Sequence, residues 1–434
     1  LPTGSHLITS TPRIKIWRPS CRNWSQLAFQ SQAADYMKLM AIYKDIIISG
    51  GGIAGLTAAV AFGEAWFEVL CVDPTATVTD RSHQGADLRT TAYLQPAQAF
   101  LQQIGLWPLV ADRSAPLQIM RIVDAAGEAL VRKDFNAADI SDAPFGWNLG
   151  NWDMREGLLT RLGALPNVDF QPGISTISSQ TRSTEARVTL SSAERVCCKM
   201  LIAADGRDSP IRRAAKIRAK RTDFGQLALS FAVSHDIPHE NISTEVHKAG
   251  GPFTLVPLPD FNGKPSSAVV WMDRNRAIKE MQSQSIEAFN AAITERSAGV
   301  LGQLEVITAR TAWPIISQLS DHFFAERTAF IAEAAHVVPP IGAQGLNLSL
   351  GDIEALLDLA KAAPAQIGEA DMLKRYHQAR RPIAQSRVLG VGALNRASKA
   401  EGPIAAKARA LGLDAIHRIT PLRHQLMQLG LGLR

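Results

Sequence analysis

Three glycines near residue 50 stand at a spacing that suits a bound diphosphate. Residues 45–49 are a short apolar run that predicts a buried strand, and Gly50, Gly52 and Gly55 follow it in a GxGxxG pattern. The first glycine permits a tight turn, the second lets the backbone approach a pyrophosphate, and the third lets a helix pack against the strand. Residues 56–65 predict that helix, whose free N-terminal amides would face the phosphates.

An acidic residue completes the same unit. Residues 67–72 predict a second strand, and Asp73 stands at its end, about 20 residues beyond the first glycine. A carboxylate at this place can accept a hydrogen bond from a ribose hydroxyl. The glycines alone would be weak evidence, but strand, helix, strand and terminal acid together predict a dinucleotide site. The unit does not distinguish NAD from FAD.

Two further polar residues are candidates for such a site. Arg89, in "DLRTTAYL", can face a phosphate or the edge of a flavin, or can simply be a solvated or capping charge. Asp205 follows a strand predicted at residues 200–204 and precedes a helix that begins near Ser209. An Asp at the carboxyl end of a sheet strand lies where open α/β sheets bind ligands, although Asp205 can also serve only the turn. The residues leave both interpretations open.

A second loop of unusual composition, "AEAAHVVPPIGAQGLNLSLGD", occupies residues 332–352. It separates a strand predicted at 328–332 from a helix predicted at 347–360. Its glycines permit backbone conformations that other residues resist. The unpaired amides at the helix start suit a site where negative charge develops. His336 is either a catalyst or, more commonly for a lone histidine, a structural residue.

Composition restricts the function classes. The 434 residues are 46% hydrophobic and 20% charged, as in an ordinary globular chain of two or three domains. The 46 Lys and Arg against 40 Asp and Glu give a formal charge of +6, but no long run of like charges predicts nucleic-acid binding. The four cysteines have no metal-ligand spacing, so no metal is predicted, and they fit a reduced, cytosolic chain. No apolar stretch of ~18 residues predicts a membrane span.

The N-terminal residues differ in composition from the rest. Residues 1–34 contain no acid but carry Arg13, Lys15, Arg18 and Arg22. This pattern fits either an organellar transit peptide or upstream sequence that precedes a start near Met37 or Met40. We expect residues 1–43 to be an extension, disordered or non-native, outside the fold.

The glycine turn, the Arg89 segment, the Asp205-Gly206 turn and the block "PPIGAQGLNLSL", in this order, resemble a known enzyme family. The chain resembles single-component FAD-dependent aromatic hydroxylases of the para-hydroxybenzoate hydroxylase type, and most of all their ubiquinone-biosynthesis branch. The resemblance covers about residue 44 to the C-terminus. The "PPIGAQGLNLSL" block is highly specific, and "RYHQARRP" and "TEVHKAGGPFTLVPLP" are also similar to that branch.

The resemblance implies roles for the candidates. The glycine turn would hold the FAD pyrophosphate, Asp73 the adenosine ribose, and Arg89 the flavin side, with Asp205 near the pyrophosphate. The two prolines of the second loop would lie against the oxygen-reacting face of the flavin, and the helix-start amides against its N1–C2 edge. The implied cofactor ligands are Gly50, Gly52, Gly55, Asp73, Arg89, Asp205, Glu333, Gly345, Leu346 and Asn347. The implied catalytic candidates are Pro339, Pro340 and His336.

Two departures from the family pattern concern FAD binding. The family usually has Gly-Asp where this chain has Ala332-Glu333, and the family's Glu-Asn after the middle strand is here Gly150-Asn151. In the family the Asp bonds the ribityl chain. The extra methylene of Glu333 predicts FAD binding weakened by about tenfold, since hydrogen bonds to charged groups are worth roughly 1.5–3 kcal/mol.

We predict an α/β protein with a Rossmann-like FAD-binding domain, an inserted β-sheet substrate domain and C-terminal helices. The FAD-binding domain is discontinuous, with its three pieces at residues 44–115, 144–222 and 311–395. Two inserts with alternating apolar and polar residues predict the substrate domain, at residues 116–143 and 223–310. Residues 396–434 predict the C-terminal helical segment.

The resemblance also implies a reaction. Reduced FAD and O2 give a flavin C4a-hydroperoxide that hydroxylates an aromatic ring of a prenylated ubiquinone precursor, with NAD(P)H or another reductant as electron donor. Two alternatives remain: a FAD-poor structural subunit of a quinone-biosynthesis complex, and a flavin-dependent prenyl-lipid reductase. The expected partners are the aromatic quinone precursor and O2, with a biosynthetic complex and a membrane surface as further candidates and no nucleic acid.

The C-terminal segment has a composition that is relevant to membrane contact. Residues 402–434 mix apolar and basic residues at near-helical spacing and contain Asp414 as their single acid. They predict either a surface helix that touches anionic lipid, as would suit a prenylated substrate, or a helix that caps the fold. We therefore expect a cytoplasmic protein, either free or peripheral to the membrane.

Overall fold

The computed structural model describes residues 42–83, 85–125, 130–248, 250–399, 412 and 414–431. The expected N-terminal extension therefore lies, up to residue 41, outside the described residues. The same is true of most of the segment between residues 400 and 413.

Strands outnumber helices among the described residues, and several strands follow one another without a helix between them. The strands are β1 (Ile42–Ser49), β2 (Val69–Asp73), β3 (Thr90–Leu94), β4 (Ala115–Leu117), β5 (Ile119–Asp124), β6 (Val131–Asn136), β7 (Gly146–Gly150), β8 (Val168–Pro172), β9 (Thr176–Thr181), β10 (Ala186–Leu190), β11 (Arg195–Ala203), β12 (Ala219–His235), β13 (Ile242–Lys248), β14 (Gly251–Phe261), β15 (Lys264–Arg274), β16 (Leu304–Val306), β17 (Thr311–Ser320), β18 (Phe324–Ala325), β19 (Thr328–Phe330) and β20 (His336–Val337). The helices are α1 (Ile53–Glu64), α2 (Gln95–Gln103), α3 (Asn151–Gly163), α4 (Pro210–Ala214), α5 (Asn275–Gln282), α6 (Ile286–Arg296), α7 (Gln344–Ala362), α8 (Ala370–Lys399) and α9 (Thr420–Leu431).

The first sheet carries the predicted βαβ unit. Its order is β18-β19-β11-β1-β2-β8, and β1 and β2 run parallel with Ser49 opposite Val72. The apolar run from Ile46 to Ile48 is fully buried, as expected for a parallel strand with both faces covered. Helix α1 packs against β2, α3 and α7. The predicted α/β fold class, with a Rossmann-like unit at its start, is confirmed.

The second sheet is mainly antiparallel, in the order β20-β17-β12-β15-β14-β13-β5-β6. Its long strand β12 pairs with β15 on one side and β17 on the other, with Ala228 opposite Trp313. The two predicted inserts supply most of these strands. However, β17 and β20 come from the piece assigned to the FAD-binding domain, so the boundary predicted at 311 falls at the first residue of a strand of this sheet. The insert also contains α5 and α6, which the alternating pattern did not predict.

A small third sheet has the order β3-β7-β4. Along the chain, its strands come where the path passes from one of the larger sheets to the other. The Asn148 side chain on β7 donates to Pro257 O on β14 at 2.9 Å, which ties it to the second sheet. Helix α8 continues to Lys399, across the boundary predicted at 396. Met427 and Leu431 of α9 are buried in an apolar cluster with residues of β3 and β6. The C-terminal helix thus covers the fold with one face.

Candidate functional site

The glycine turn after β1 combines two glycines that the fold requires with one that leaves space. Gly50 has φ +112°, and a Cβ there would lie 2.3 Å from Ala204 O, while a Cβ on Gly55 would lie 1.8 Å from Gly50 O. A Cβ on Gly52 would meet nothing within 4 Å. Gly52 is also the N-cap of α1 and has no side-chain cap. The first amides of α1 therefore face open space that a diphosphate can fill.

Gly51, which the spacing argument passed over, orients Asp73. Its amide donates to Asp73 Oδ2 at 2.6 Å, and a Cβ on Gly51 would lie 2.8 Å from Asp73 Cβ. Asp73 Oδ1 accepts from the amide and hydroxyl of Thr75, at 2.8 and 2.6 Å. A carboxylate has about four acceptor positions, so one remains for a ribose hydroxyl. The uninterrupted "GGG" was the signal for Gly51.

Asp205 lies just beyond the carboxyl end of β11, beside the glycine turn. Its Oδ2 accepts from the amide of Ile211 at 3.2 Å, and Ser209 caps α4 through its hydroxyl. Its Oδ1 is buried and, among the described residues, has no hydrogen-bond partner. Burial raises the pKa of Asp205, against the opposing bonds from Ser209 and Ile211. A buried acceptor without a partner is what a ligand hydroxyl or bridging water would satisfy.

Arg89 is held by a two-point ion pair and by stacking on an aromatic ring. Its Nε and Nη2 each lie 2.7 Å from an oxygen of Asp87, and its guanidinium stacks 4.5 Å from the ring centroid of Trp313. Burial raises the pKa of Asp87, but the bonds from Arg89 and Asn151 outweigh it, so that the pKa lies below its ordinary value. Arg89 is thus an ordered cation at the edge of a cavity.

The Gly150-Asn151 departure has a local explanation. Asn151 Nδ2 donates to Asp87 Oδ2 at 2.9 Å, and its Oδ1 accepts from the Thr91 hydroxyl at 3.0 Å. A Cβ on Gly150 would lie 2.5 Å from the ring of Trp152. Gly150 therefore makes room for Trp152, and Asn151 helps to hold the Asp87–Arg89 pair.

Glu333 has a partner that the motif analysis missed. Arg207, two residues after Asp205, donates from Nε and Nη2 to the two Glu333 oxygens at 3.0 and 3.1 Å. The buried Arg212 guanidinium joins the same two loops, because it donates to Ala334 O at 2.7 Å and to Arg207 O at 2.9 Å. Only the proximity of the loops after β11 and β19 brings these residues together, so spacing alone gave no signal.

The loop before α7 contains two alanines in left-handed backbone conformations. Ala332 has φ +53° and Ala343 has φ +55°. Ala332 stands where the family usually has glycine, and its conformation explains that preference. Pro339 is buried, while Pro340 is exposed and lines the cavity described next. The two prolines therefore occupy different environments.

The first turn of α7 is anchored by a side chain. Asn347 Nδ2 donates to Ala92 O at 2.8 Å, and its Oδ1 accepts from the amide of Leu94 at 2.9 Å. Helix α7 has no side-chain cap, so the amides of its first turn, including those of Gly345 and Leu346, have no partner within the helix. Asn347 thus binds the backbone of β3 by two hydrogen bonds, which fixes the position of these free amides.

His336 lies among buried polar side chains. Its Nε2 lies 2.5 Å from Asp352 Oδ2, and both side chains are buried. Arg380 Nε donates to the other oxygen of Asp352 at 2.7 Å. His336 lines neither the cavity beside the loop before α7 nor the groove next to that cavity. His336 thus belongs to a buried polar cluster that joins β20, α7 and α8, and its catalytic role stays a prediction of the resemblance.

A cavity of ≈ 160 Å³ lies between the loop before α7 and the second sheet. One side is formed by Val337, Val338, Pro340 and Glu333, with Arg207 and Arg89 at its rim. The other side is mostly apolar and comes from three neighbouring strands. Its residues are Ala228, Ser230, Phe231, Ala268, Val269, Val270, Pro314, Ile315 and Ile316. A larger open groove of ≈ 890 Å³ adjoins it and shares Leu88, Arg89 and Trp313.

These residues fit FAD. The open side of Gly52, the remaining acceptor position of Asp73 and the orphaned oxygen of Asp205 lie along the carboxyl edge of the first sheet, where such sheets bind dinucleotides. The free amides of α7 and the apolar cavity suit a flavin ring and its reaction partner. Glu333 fits less simply, because Arg207 already holds both of its oxygens.

Comparison with known proteins identifies the family. A family model described as FAD binding domain matches residues 43–389. The chain belongs to this family. It is 29% identical over 401 residues to ubiquinone hydroxylase UbiL of Rhodospirillum rubrum, covering 89% of each protein. It is 25% identical over 397 residues to 3-demethoxyubiquinol 3-hydroxylase of Escherichia coli, covering 90% of this chain and 98% of that protein.

A solved structure shares the fold. The p-nitrophenol 4-monooxygenase PnpA of Pseudomonas putida superposes with a TM-score of 0.75 over 91% of this chain and 100% of that one, at 18% identity. The resemblance to FAD-dependent hydroxylases of the ubiquinone branch, drawn from the motifs, is confirmed, as is FAD as the cofactor of the family. Among the described helices, none has the length and apolar character needed to cross a membrane.

Proposed function

We propose that this chain is a FAD-dependent monooxygenase that hydroxylates an aromatic ring of a ubiquinone precursor. The observation that carries the proposal is the apolar cavity between the loop before α7 and the strands β12, β15 and β17. It brings the proline loop and an apolar wall to one place, and Gly345 at the start of α7 lies next to Val338 of its lining, since a Cβ there would be 3.7 Å from Val338 Cγ2. The relatives named as ubiquinone hydroxylases support the choice of substrate class.

The chain's own residues would bind and orient the cofactor. The turn at Gly52 would hold the pyrophosphate, Asp73 the ribose, and Asp205 a hydroxyl nearby. The amides of Gly345 and Leu346 would face the flavin ring and stabilise negative charge on it. Bound and reduced, FAD supplies the activation of O2 and the transfer of one oxygen atom to the ring.

The walls of the cavity determine what else can enter. Ala228 and Ala268 are small, and with Val270 and Ile315 they leave an apolar space suited to a flat ring. Such a lining keeps bulk water away from a reactive oxidant. The Arg89–Trp313 stack closes the cavity toward the neighbouring groove. The arrangement favours an aromatic quinone-type substrate, with O2 and a reductant such as NAD(P)H as co-reactants.

A prenylated precursor partitions into lipid, so we extend the proposal to contact between this chain and a membrane surface. Membership of a biosynthetic complex stays a prediction of the resemblance. The two alternatives, a FAD-poor structural subunit and a prenyl-lipid reductase, gain nothing from the relatives, which are named as hydroxylases.

The test is hydroxylation by the purified protein. The purified protein should absorb at about 450 nm, as any oxidised flavin does. With a reductant, O2 and a quinone precursor it should yield a hydroxylated product. Val270→Phe should narrow the cavity, retain the flavin and lose turnover. A protein that binds no flavin would support the structural subunit. Flavin reduction without any hydroxylated product would support the reductase.

A further inference from the structure

The outer side of α9 carries an exposed apolar stripe. Ile419, directly before the helix, and Leu422, Leu426 and Leu429 are 50, 37, 41 and 53% exposed. They stand three or four residues apart, so they lie along one face of the helix. Single exposed leucines are common, but four large apolar side chains in one row mark a surface that contacts another phase or molecule.

The inner side of the same helix is fixed to the fold. Met427 and Leu431 are buried in the apolar cluster against which Ala343 also packs. Gln344, the first residue of α7, donates from Nε2 to Gly430 O at 3.0 Å. The helix is therefore attached to the loop that borders the cavity, while its stripe remains uncovered by any of the residues placed in the structure.

The charge of the segment selects the kind of partner. Residues 402–434 contain a single acid, Asp414, against five basic residues: Lys407, Arg409, Arg418, Arg423 and Arg434. Asp414 is itself paired, at 2.8 Å with Lys133 and at 2.7 Å with Arg418, and Arg423 lies 3.5 Å from Asp139. By its sequence the segment still combines an apolar stripe with net positive charge, which is the pattern of helices that lie in the surface of anionic membranes.

We propose that α9 docks on a bilayer that contains anionic lipid, with Ile419, Leu422, Leu426 and Leu429 inserted at the headgroup boundary. Through the Gln344–Gly430 bond, docking orders the loop before α7. This rests on the proposed function, because a prenylated ring reaches the cavity from lipid. A second copy is a poorer occupant: four half-exposed side chains fall short of the roughly 800 Å² per partner that a standard protein interface buries.

Docking is tested with the full chain and two sets of vesicles, one of phosphatidylcholine and one that also contains phosphatidylglycerol. The protein should sediment with the anionic vesicles, and the Leu422→Gln/Leu426→Gln/Leu429→Gln variant should bind them about tenfold or more weakly, since three apolar side chains leave the interface. Ile177→Gln/Ile237→Gln, at 65 and 50% exposed side chains on other elements, is the matched control and should bind normally.

Full vesicle binding by the triple variant would overturn docking. If the same variant also abolished a wild-type dimer, the stripe would belong to an interface with a second copy instead. Ordering of the loop has its own readout, hydrogen exchange of amides 338–346. Anionic vesicles should slow this exchange in wild type and not in the triple variant, and bound vesicles without any effect would overturn the coupling. None of these measurements needs turnover, so failure of the hydroxylase proposal would be seen separately.

Discussion

Arg207 holds the carboxylate of Glu333 at two points, with Nε and Nη2 3.0 and 3.1 Å from its oxygens. The pair joins the loop after β11 to the loop after β19, and Arg212 reinforces it through the backbone of both loops. The longer acid thus has a partner of its own in this chain. An Asp would be one methylene too short to keep both bonds without a shift of the backbone.

This pair makes the expected effect of residue 333 on FAD testable. We expect Glu333→Asp to bind FAD about tenfold more tightly, because an acid released from Arg207 can accept from a cofactor hydroxyl in a charge-assisted bond worth roughly 1.5–3 kcal/mol. Glu333→Ala should bind more weakly than wild type. Both values come from titration of apo-protein by flavin fluorescence. Weaker binding by Glu333→Asp would mean that the Arg207–Glu333 pair itself supports the cofactor site.

The glycine turn offers a pair of substitutions with opposite consequences. Gly52→Val should fold normally but lose flavin, since its Cβ meets no protein atom within 4 Å and enters the space left for the pyrophosphate. Gly55→Val should unfold at lower temperature or fail to fold, because its Cβ would lie 1.8 Å from Gly50 O. Flavin content and thermal melting separate the two effects. A folded Gly52→Val protein with full flavin would remove the turn from the cofactor site.

The local parts of this site were predictable because each has its signals within about 30 residues. The βαβ unit follows from apolar runs and glycine spacing that lie side by side, and the Asp205-Gly206 turn follows directly on its own strand. Helix α7 begins at Gln344 rather than at the predicted Asn347 because Ala343 adopts a left-handed conformation, and no propensity rule marks an alanine for that role. Such starts are settled by tertiary contacts.

The non-local parts were not predictable from spacing. Glu333 and Arg207 are 126 positions apart, and only the parallel pairing of β11 with β19 brings their loops together. Strand β17 likewise joins the second sheet through its register with β12, which no local pattern shows. The contact of His336 with Asp352 in the next helix was not predictable either, since a buried histidine and a catalytic one have the same local sequence.

The buried cluster at His336 predicts stability effects without catalytic ones. Asp352→Ala should destabilise the fold by about 3–5 kcal/mol, because it leaves the Arg380 charge and the His336 ring without their buried partner. His336→Gln, which can still donate to Asp352, should lose less stability. Its hydroxylation rate should fall far less than the 10²–10⁴-fold expected when an acid–base catalyst is removed. Urea unfolding and turnover per bound flavin measure the two. A loss of that size in a folded His336→Gln protein would support the catalytic assignment instead.

Asp205 should make the stability of the apo-protein depend on pH. Burial raises its pKa in the folded state, so the folded chain holds this proton more tightly than the unfolded chain does. The carboxylate therefore destabilises the fold progressively as pH rises from its ordinary value of about 3.9 through the raised one. Asp205→Asn should remove this cost and stabilise the apo-protein most at neutral pH, by roughly 1–3 kcal/mol, while it weakens FAD binding.

Urea unfolding between pH 4 and pH 8 checks the Asp205 prediction. Asp208→Asn is the control, because this carboxylate lies on the same loop but is mostly exposed, and surface changes of that kind usually stay within about 0.5 kcal/mol. An Asp205→Asn protein whose advantage shrinks as pH rises would reverse the sign and contradict the argument.

Ala332 should be a site where glycine stabilises the protein. Its φ of +53° lies in the left-handed region, which costs a residue with a Cβ roughly 1–2 kcal/mol and costs glycine little. Ala332→Gly should therefore raise stability by about 1 kcal/mol after the greater flexibility of the unfolded chain is counted. Ala334→Gly is the matched control, since Ala334 belongs to the same short 3₁₀ turn and is buried but is not among the residues with positive φ. That variant should lose stability by roughly 0.5–1 kcal/mol. Thermal melting of the two apo-proteins gives the comparison. Ala332 is buried in the same apolar core as Ala334. A destabilised Ala332→Gly protein would therefore show that the Cβ of Ala332 contributes more stability through packing than its backbone conformation costs.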